Sequence, residues 1–531
     1  MTHTLLFRKL VLALQAARRE HLQEQHLPEP ISAAMAGWNR RRFMKTGAAG
    51  LAGLAAQGLP LAAMAGPTHS APRVAIIGAG IAGLNAAHQL KKAGVTATVY
   101  EATARAGGRM LSTTMQDGLT VDIGAELINT DHADMLDLVK EFNIELFDKL
   151  RDVKHLPYPK EAYFFAGVSY SETQLINDLR PIAAQISRDA KLLDRDWDSY
   201  APLFDQRSVA DYLDSHADKL TAPYVRALLE NAIRTEFGAE PAESSALQLL
   251  FILPEVKGQA VELLSYSDEV YAVVGGSAQI TNAMAAALPG QIRYNKILRA
   301  IEEQGPGYRL KFADKTEQAA DIVIIAAPFP ALRNVTLKVP LPTLFRRFIA
   351  EAGLGDNEKL IAGFSERFWR TPAGFSLAAW SDLGFAEAWD ETQRQPLRPD
   401  GALNFFLGGD QARQLNKINA FKPRGESFIA ALDAFVPGAV NAKTGDMRKS
   451  AWGKNPYSQG AYASYKPGQL TEFGEYFWIE GGKRDSRQVG FDRLIFAGEH
   501  LSDAYYGFME GGAQTGRLAA ELALQKMTVL A

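Results

Sequence analysis

The stretch from Val74 to Met110 limits what this chain can fold into more than any other. Val74 to Ile77 is an apolar run of strand length, followed by Gly78-Ala79-Gly80-Ile81-Ala82-Gly83, a GxGxxG. Leu84 to Lys92 then has helical spacing, with Leu84, Ala87 and Leu90 on one face and Lys91 and Lys92 exposed. Gly94 ends the helix, and a second apolar strand, Thr96 to Tyr100, ends in Glu101. This is a βαβ unit with the dinucleotide fingerprint in its required context. Gly78 permits the tight turn, Gly80 lets the backbone approach a pyrophosphate, and Gly83 lets the helix lie close on the sheet. Free amides at the helix start, around Ala82, face the phosphates. Glu101, with Ala102 beside it, accepts hydrogen bonds from a ribose diol, and its charge repels a 2′-phosphate.

The fingerprint alone does not separate FAD from NAD. The continuation Arg105-Ala106-Gly107-Gly108-Arg109-Met110 sets two guanidinium groups beside two glycines, which suits a diphosphate, although an exposed basic turn has the same composition. It resembles the RxGGR segment of the flavin amine oxidase family, which includes monoamine, polyamine and L-amino-acid oxidases. The resemblance implies that Arg105, Gly108 and Arg109 line the FAD pyrophosphate and ribityl chain. Further on, Thr120 to Asn129 reads TVDIGAELIN, and Gly124, Ala125, Glu126 and Leu127 take the positions that run beside the flavin ring in that family. Many L-amino-acid oxidases carry a carboxylate-clamping arginine at the fourth position, where this chain has Leu127. Glu126 is unusual at an apolar strand end and needs a partner: a cationic group of the substrate, a protein arginine or a backbone cap. By the same resemblance the Ile297 amide touches the adenine.

Lys359 opens the alternating run Leu360, Ala362, Phe364, which predicts a strand, and Phe368-Trp369 follows. The resemblance places its amine near the reactive flavin nitrogen. A buried ammonium tends to lose its proton, so Lys359 is expected to help accept the amine proton or orient oxygen. Tyr462, in AWGKNPYSQGAYASYKP, matches an aromatic ring that stands upright beside the flavin. The preceding residue, a flavin-attaching cysteine in monoamine oxidases, is Ala461. The chain contains no cysteine, so a thioether link is excluded and non-covalent FAD is expected. Near the C-terminus, Leu494 to His500 and Gly507-Phe508-Met509-Glu510-Gly511-Gly512 resemble the family's FAGE and GYMEGA segments. Glu499 then reaches the ribityl hydroxyls, Gly507 and Met509 belong to the cofactor set, and Phe508 pairs with Tyr462 as a cage lacking one hydroxyl.

Several classes fall away on composition. A net charge of −3 gives no nucleic-acid surface, and nine scattered histidines with no cysteine show no metal-ligand spacing. The first 70 residues read as an export leader outside the fold. Arg40-Arg41-Arg42-Phe43-Met44-Lys45 followed by a Gly/Ala/Leu run looks like a twin-arginine signal, which would make the export machinery a partner and the periplasm or the exterior of a bacterium the destination. An uncleaved interfacial anchor is the alternative.

The expected fold is α/β, a glutathione-reductase-like Rossmann FAD domain with an inserted mixed sheet-and-helix substrate domain. Residues 72–130, 255–345 and 485–531 form the first, and 131–254 and 346–484 the second, with 131–253 mostly helical. The expected reaction is FAD-dependent oxidation of an amine or L-amino acid C–N bond to an imine that hydrolyses, with oxygen or another acceptor reoxidising the flavin and oxygen giving hydrogen peroxide. Lys359, Tyr462, Phe508 and Glu126 are the expected catalytic set. A desaturase or isomerase acting on an apolar isoprenoid or porphyrin is the rival enzyme, and a flavin-binding partner protein the non-enzymatic one. Assembly into a homo-oligomer is open.

Overall fold

The computed structural model describes residues 72–258, 260–264, 267–481 and 486–530; the export leader read from the sequence lies outside them. Strand Val74–Ile77 is buried along its whole length and pairs in parallel with Ala97–Tyr100 on one side and Ile322–Ile325 on the other. Ile292–Arg293 and Leu494–Phe496 extend the sheet in parallel, and Gly490–Phe491 closes it antiparallel. The six strands therefore come from widely separated parts of the chain. Continuous apolar runs such as Ile322–Ile325 form because both faces of such a sheet are covered.

Two glycines determine how closely the covering helix Ile81–Lys92 approaches. Gly78 has φ +101°, and a Cβ there would lie 2.9 Å from the Ala326 carbonyl oxygen. A Cβ on Gly83 would stand 2.0 Å from the Gly78 oxygen, so nothing larger fits. The C-terminal helix Met509–Leu530 packs on the same helix, and Asn85 Nδ2 donates to the Ala513 carbonyl at 2.7 Å.

A seven-stranded sheet forms the second layer, in the spatial order Lys443–Lys449, Asn357–Phe364, Gly401–Gly408, Glu387–Asp390, Ala378–Ser381, Glu161–Phe165, Val168–Tyr170. Its pairings are antiparallel except between Ala378–Ser381 and Glu161–Phe165. Register puts Lys359 opposite Phe406, Phe406 opposite Glu387, and Glu387 opposite Trp380. Directly opposed residues share a face, so this row points one way.

Two expectations hold and gain detail: the helical region and the strand that carries Lys359. Region 131–253 does contain long helices, among them Glu172–Arg195 with a Ser171/Gln174 capping box. It also supplies Glu161–Phe165 and Val168–Tyr170 to the large sheet, joined by Ala166-Gly167 with both residues at positive φ. That two-residue turn matches strand twist, and Tyr163 and Phe165 are buried on one face of the sheet while Phe164 stacks on Phe435 on the other. The strand holding Lys359 does not alternate in exposure either. All eight residues of Asn357–Phe364 are buried, because neighbours flank it on both edges and helices cover its far face.

Candidate active site

A cavity of about 490 Å³ runs from the GxGxxG turn to the large sheet. Gly78, Gly80, Ala82, Glu101, Ala102, Arg105, Gly108, Arg109, Gly124, Ala125, Ile297, Lys359, Tyr462, Glu499, Gly507, Phe508 and Met509 all line it. Segments more than 400 residues apart in sequence, at Gly78 and Met509, thus meet on one wall. Gly83, Glu126 and Leu127 lie outside the wall. Gly83 acts through helix packing, Leu127 is a buried strand residue, and Glu126 is turned into a polar cluster described below.

The carboxylates at the two ends are held by backbone. Glu101 accepts from the Ala79 amide (2.8 Å), the Thr103 amide (2.8 Å) and the Thr103 hydroxyl (2.7 Å). Glu499 accepts from Arg109 Nη1 (2.7 Å), the Gly507 amide (2.6 Å) and the Ala463 amide (3.3 Å). Arg109 Nη1 also donates to the Ala461 carbonyl at 2.6 Å, tying the GGR segment to the tyrosine strand. Arg105 donates to the Ala106, Met110 and Gly108 carbonyls, which fixes its loop in place. A flavin dinucleotide fits these walls. Gly80 at the helix start has no side-chain cap, and the buried His500 ring lines the cavity with neither nitrogen hydrogen-bonded among the described residues. Burial pushes that imidazole down to about 4, so it is neutral and has one donor and one acceptor to offer.

Lys359 is held as an ammonium, against the expectation that it sheds its proton. Burial alone favours the neutral amine, but Glu126, Glu391 and Asp122 together outweigh it and raise the group. Nζ donates to Glu126 Oε2 (2.7 Å) and the Asp122 carbonyl (2.9 Å), and stands 3.5 Å from Glu391 Oε2. Glu126 is likewise not free to receive a substrate cation. Burial pushes its carboxyl up, yet Lys359 and Arg394 pull it further down, to about 2. Arg394 Nη1 lies 3.2 Å from Glu126 Oε1, and Trp389 Nε1 donates to Oε2 at 3.3 Å. Of the partners open to Glu126 in the sequence, protein cations are the ones it has.

Tyr462 and Phe508 both face the cavity. The Tyr462 hydroxyl donates to the Thr235 carbonyl, which fixes the ring plane. Phe508 packs edge-on against His132 at 4.9 Å. Burial, then Glu236, Glu269 and Glu387, raise the Tyr462 hydroxyl well above its ordinary value. Those three carboxylates come from a helix end, a loop and the large sheet. Partial burial, then Glu269, Glu161 and Glu236, raise Glu387 well above the carboxylate range, and Lys149 opposes them.

Arg394, Glu391, His500 and the Glu236, Glu269, Glu387 group were not foreseen. Arg394 sits in DETQRQPLRPD, whose charge and prolines read as a surface loop, yet its side chain is 1% exposed. His500 adjoins Glu499, and that adjacency is the one sequence signal that singles it out.

A family model described as flavin containing amine oxidoreductase matches residues 81–524. The flavin-containing amine oxidase of Oncorhynchus mykiss is 26% identical over 474 residues, 86% of each chain. Flavin-containing amine oxidase B of Homo sapiens is 26% identical over 477 residues, again 86% of each. Among solved structures, cyclohexylamine oxidase from Brevibacterium oxydans IH-35A superposes with TM-score 0.71 at 23% identity, covering 86% of this chain and 100% of that one. Putrescine oxidase bound to putrescine superposes with TM-score 0.68 at 23% identity, covering 86% and 99%. At such identity the two structures speak for the fold.

Proposed function

This chain belongs to the flavin-containing amine oxidoreductase family, and from that premise we propose that its substrate is an amine carrying a second positive charge, a diamine or polyamine. It is an enzyme that oxidises an amine with a flavin. The carrying observation is the group of acids Glu236, Glu269 and Glu387, with Glu161 acting on Glu387, that bears on the Tyr462 hydroxyl from behind the cavity lining. Pushed up by burial and by one another, these acids ionise readily only beside a cation, so the group favours a distal ammonium over an amino-acid carboxylate. The arginine that clamps a carboxylate in many L-amino-acid oxidases is replaced by Leu127, and Arg394 is engaged by Asp122, Glu126 and Glu391.

When bound, the flavin supplies the electron sink for the C–N oxidation. The protein's part is placement. Tyr462 and Phe508 confine the reacting amine in its neutral form. Lys359 keeps a fixed positive charge at the cavity wall, which favours negative charge developing on oxygen. Oxygen as acceptor, with hydrogen peroxide as product, and non-covalent FAD complete the reading; the absence of cysteine supports the latter. The Arg40-Arg41 sequence supports export by the twin-arginine route.

A peroxide assay across monoamines, diamines, polyamines and the common L-amino acids tests the proposal. Diamines or polyamines are expected to lead in kcat/KM by about tenfold or more over isosteric monoamines. A lead for L-amino acids, or equal values for a diamine and its monoamine isostere, refutes it.

A further inference from the structure

Behind the cavity wall, Asp122, Glu126 and Glu391 pack against Lys359 and Arg394, and none of the five side chains is more than 4% exposed. Three acids against two bases leave one negative charge in excess if every group is ionised. An uncompensated buried charge is strongly disfavoured, so one acid must take up a proton.

Counting donors identifies it. Asp122 accepts from Ser112 Oγ, from the Ser277 amide and hydroxyl, and from Arg394. Glu126 accepts from Lys359 and Trp389 on one oxygen and from Arg394 on the other. Glu391 Oε1 accepts from the Asp122 amide (2.6 Å) and Arg394 Nη2 (3.2 Å). Among the described residues Glu391 Oε2 has no hydrogen-bond donor, and Lys359 Nζ stands 3.5 Å away. It is therefore the oxygen that gains most from carrying a hydrogen, and the Glu126 carboxylate is there to accept it.

We propose that Glu391 holds a proton at Oε2, shared with Glu126, and that this proton positions the Lys359 ammonium by keeping the cluster neutral during turnover. The proposal rests on the reading of the cavity as a flavin amine oxidase site. Burial first, then the Glu126 charge, raise the Glu391 carboxyl to about 8, while Glu126 stays ionised. The groups facing the pair are Asp122, Lys359 and Arg394, with Lys149 and Glu269 acting on Glu126 from further off. The sign follows from a raised carboxyl. Below the midpoint the cluster is neutral. Above it the Oε2 proton leaves to solvent, the cluster becomes negative, and Lys359 is drawn toward Glu391 and away from the cavity. Negative charge added there opposes the entry of electrons, so reduction of the bound flavin by amine is expected to slow about tenfold on the alkaline side.

Three measurements on the flavin-loaded protein decide the matter. The first is the infrared band of a neutral carboxylic acid, the second the visible flavin spectrum without substrate, and the third the anaerobic reduction rate, each followed from pH 6 to 10, about two units either side of the midpoint. The wild type should show the band at neutral pH, lose part of its intensity above about 8, and show a matching spectral and kinetic inflection. Glu391→Gln, with an amide in place of the acid, should remove one carboxyl's share of the band and abolish the inflection while flavin stays bound. An unchanged inflection in Glu391→Gln overturns the assignment, and so does a wild type without the band, a result that holds even if the variant fails to fold. A protein that shows the titration but oxidises no diamine refutes the substrate reading alone. One that oxidises diamines with no titration refutes this proposal alone.

Discussion

Replacing Lys359 with methionine keeps the buried stem and removes the charge. Nζ contacts Glu126 Oε2 at 2.7 Å, the Asp122 carbonyl at 2.9 Å and Glu391 Oε2 at 3.5 Å, so the variant leaves two acids short of a partner. Breaking a buried pair costs about 3–5 kcal/mol. Arg394 still reaches Glu126 and Glu391, so the lower end, about 3 kcal/mol, applies. For a folded body of about 450 residues, unfolding entropy near 1 kcal/mol/K turns that into a fall in Tm of about 3 °C.

The pH dependence has a definite sign. Glu126 is depressed to about 2, so its stabilisation is present above its unfolded value and lost as pH falls through the folded one. Lys359 is raised, so its stabilisation is present below its unfolded value and lost as pH rises through the folded one. The gap in Tm between wild type and Lys359→Met should therefore be flat from roughly pH 5 to 7, widen as Glu391 ionises above about 8, and narrow below pH 5 and beyond the Lys359 titration. In stopped-flow half-reactions, reoxidation by oxygen should slow about 100-fold, the worth of a unit charge about 6 Å away at an effective dielectric near 20. Flavin content should stay near one per chain. A variant with wild-type Tm across this range and wild-type rates in both half-reactions refutes the reasoning.

Three other outcomes are expected. Gly83→Ala puts a Cβ 2.0 Å from the Gly78 oxygen, and flavin affinity measured by fluorescence titration should fall about tenfold or more, since forced overpacking costs about 1–3 kcal/mol. Acid precipitation should leave all the yellow colour in the supernatant, because the chain has no cysteine to form a thioether; colour in the pellet contradicts non-covalent binding. Tyr462→Phe removes the hydrogen bond to the Thr235 carbonyl but keeps the ring. It should lower kcat/KM by less than about tenfold, the worth of one neutral hydrogen bond, whereas Tyr462→Ala should lose far more by opening the cage.

The nucleotide half of this protein was legible because its requirements are local. A tight turn, a close helix and a ribose acid each demand a residue type at a fixed offset, so Gly78, Gly83 and Glu101 can be read in one dimension. Lys359, Tyr462, Phe508 and Glu499 were legible as positions on the cavity wall, through motifs short enough to survive in isolation. The charge states behind that wall were not. Whether Lys359 is an amine or an ammonium depends on Glu126, Glu391 and Asp122, which reach it from other strands and loops. Whether Glu126 greets a substrate or a protein cation depends on Arg394, 268 positions away. The sequence by itself determined the flavin fold and the residues that line its cavity, since backbone conformation and hydrogen-bonding type are properties of neighbours in the chain. Only the tertiary structure decided how the buried charges pair, because a pKa is set by distance and desolvation in space.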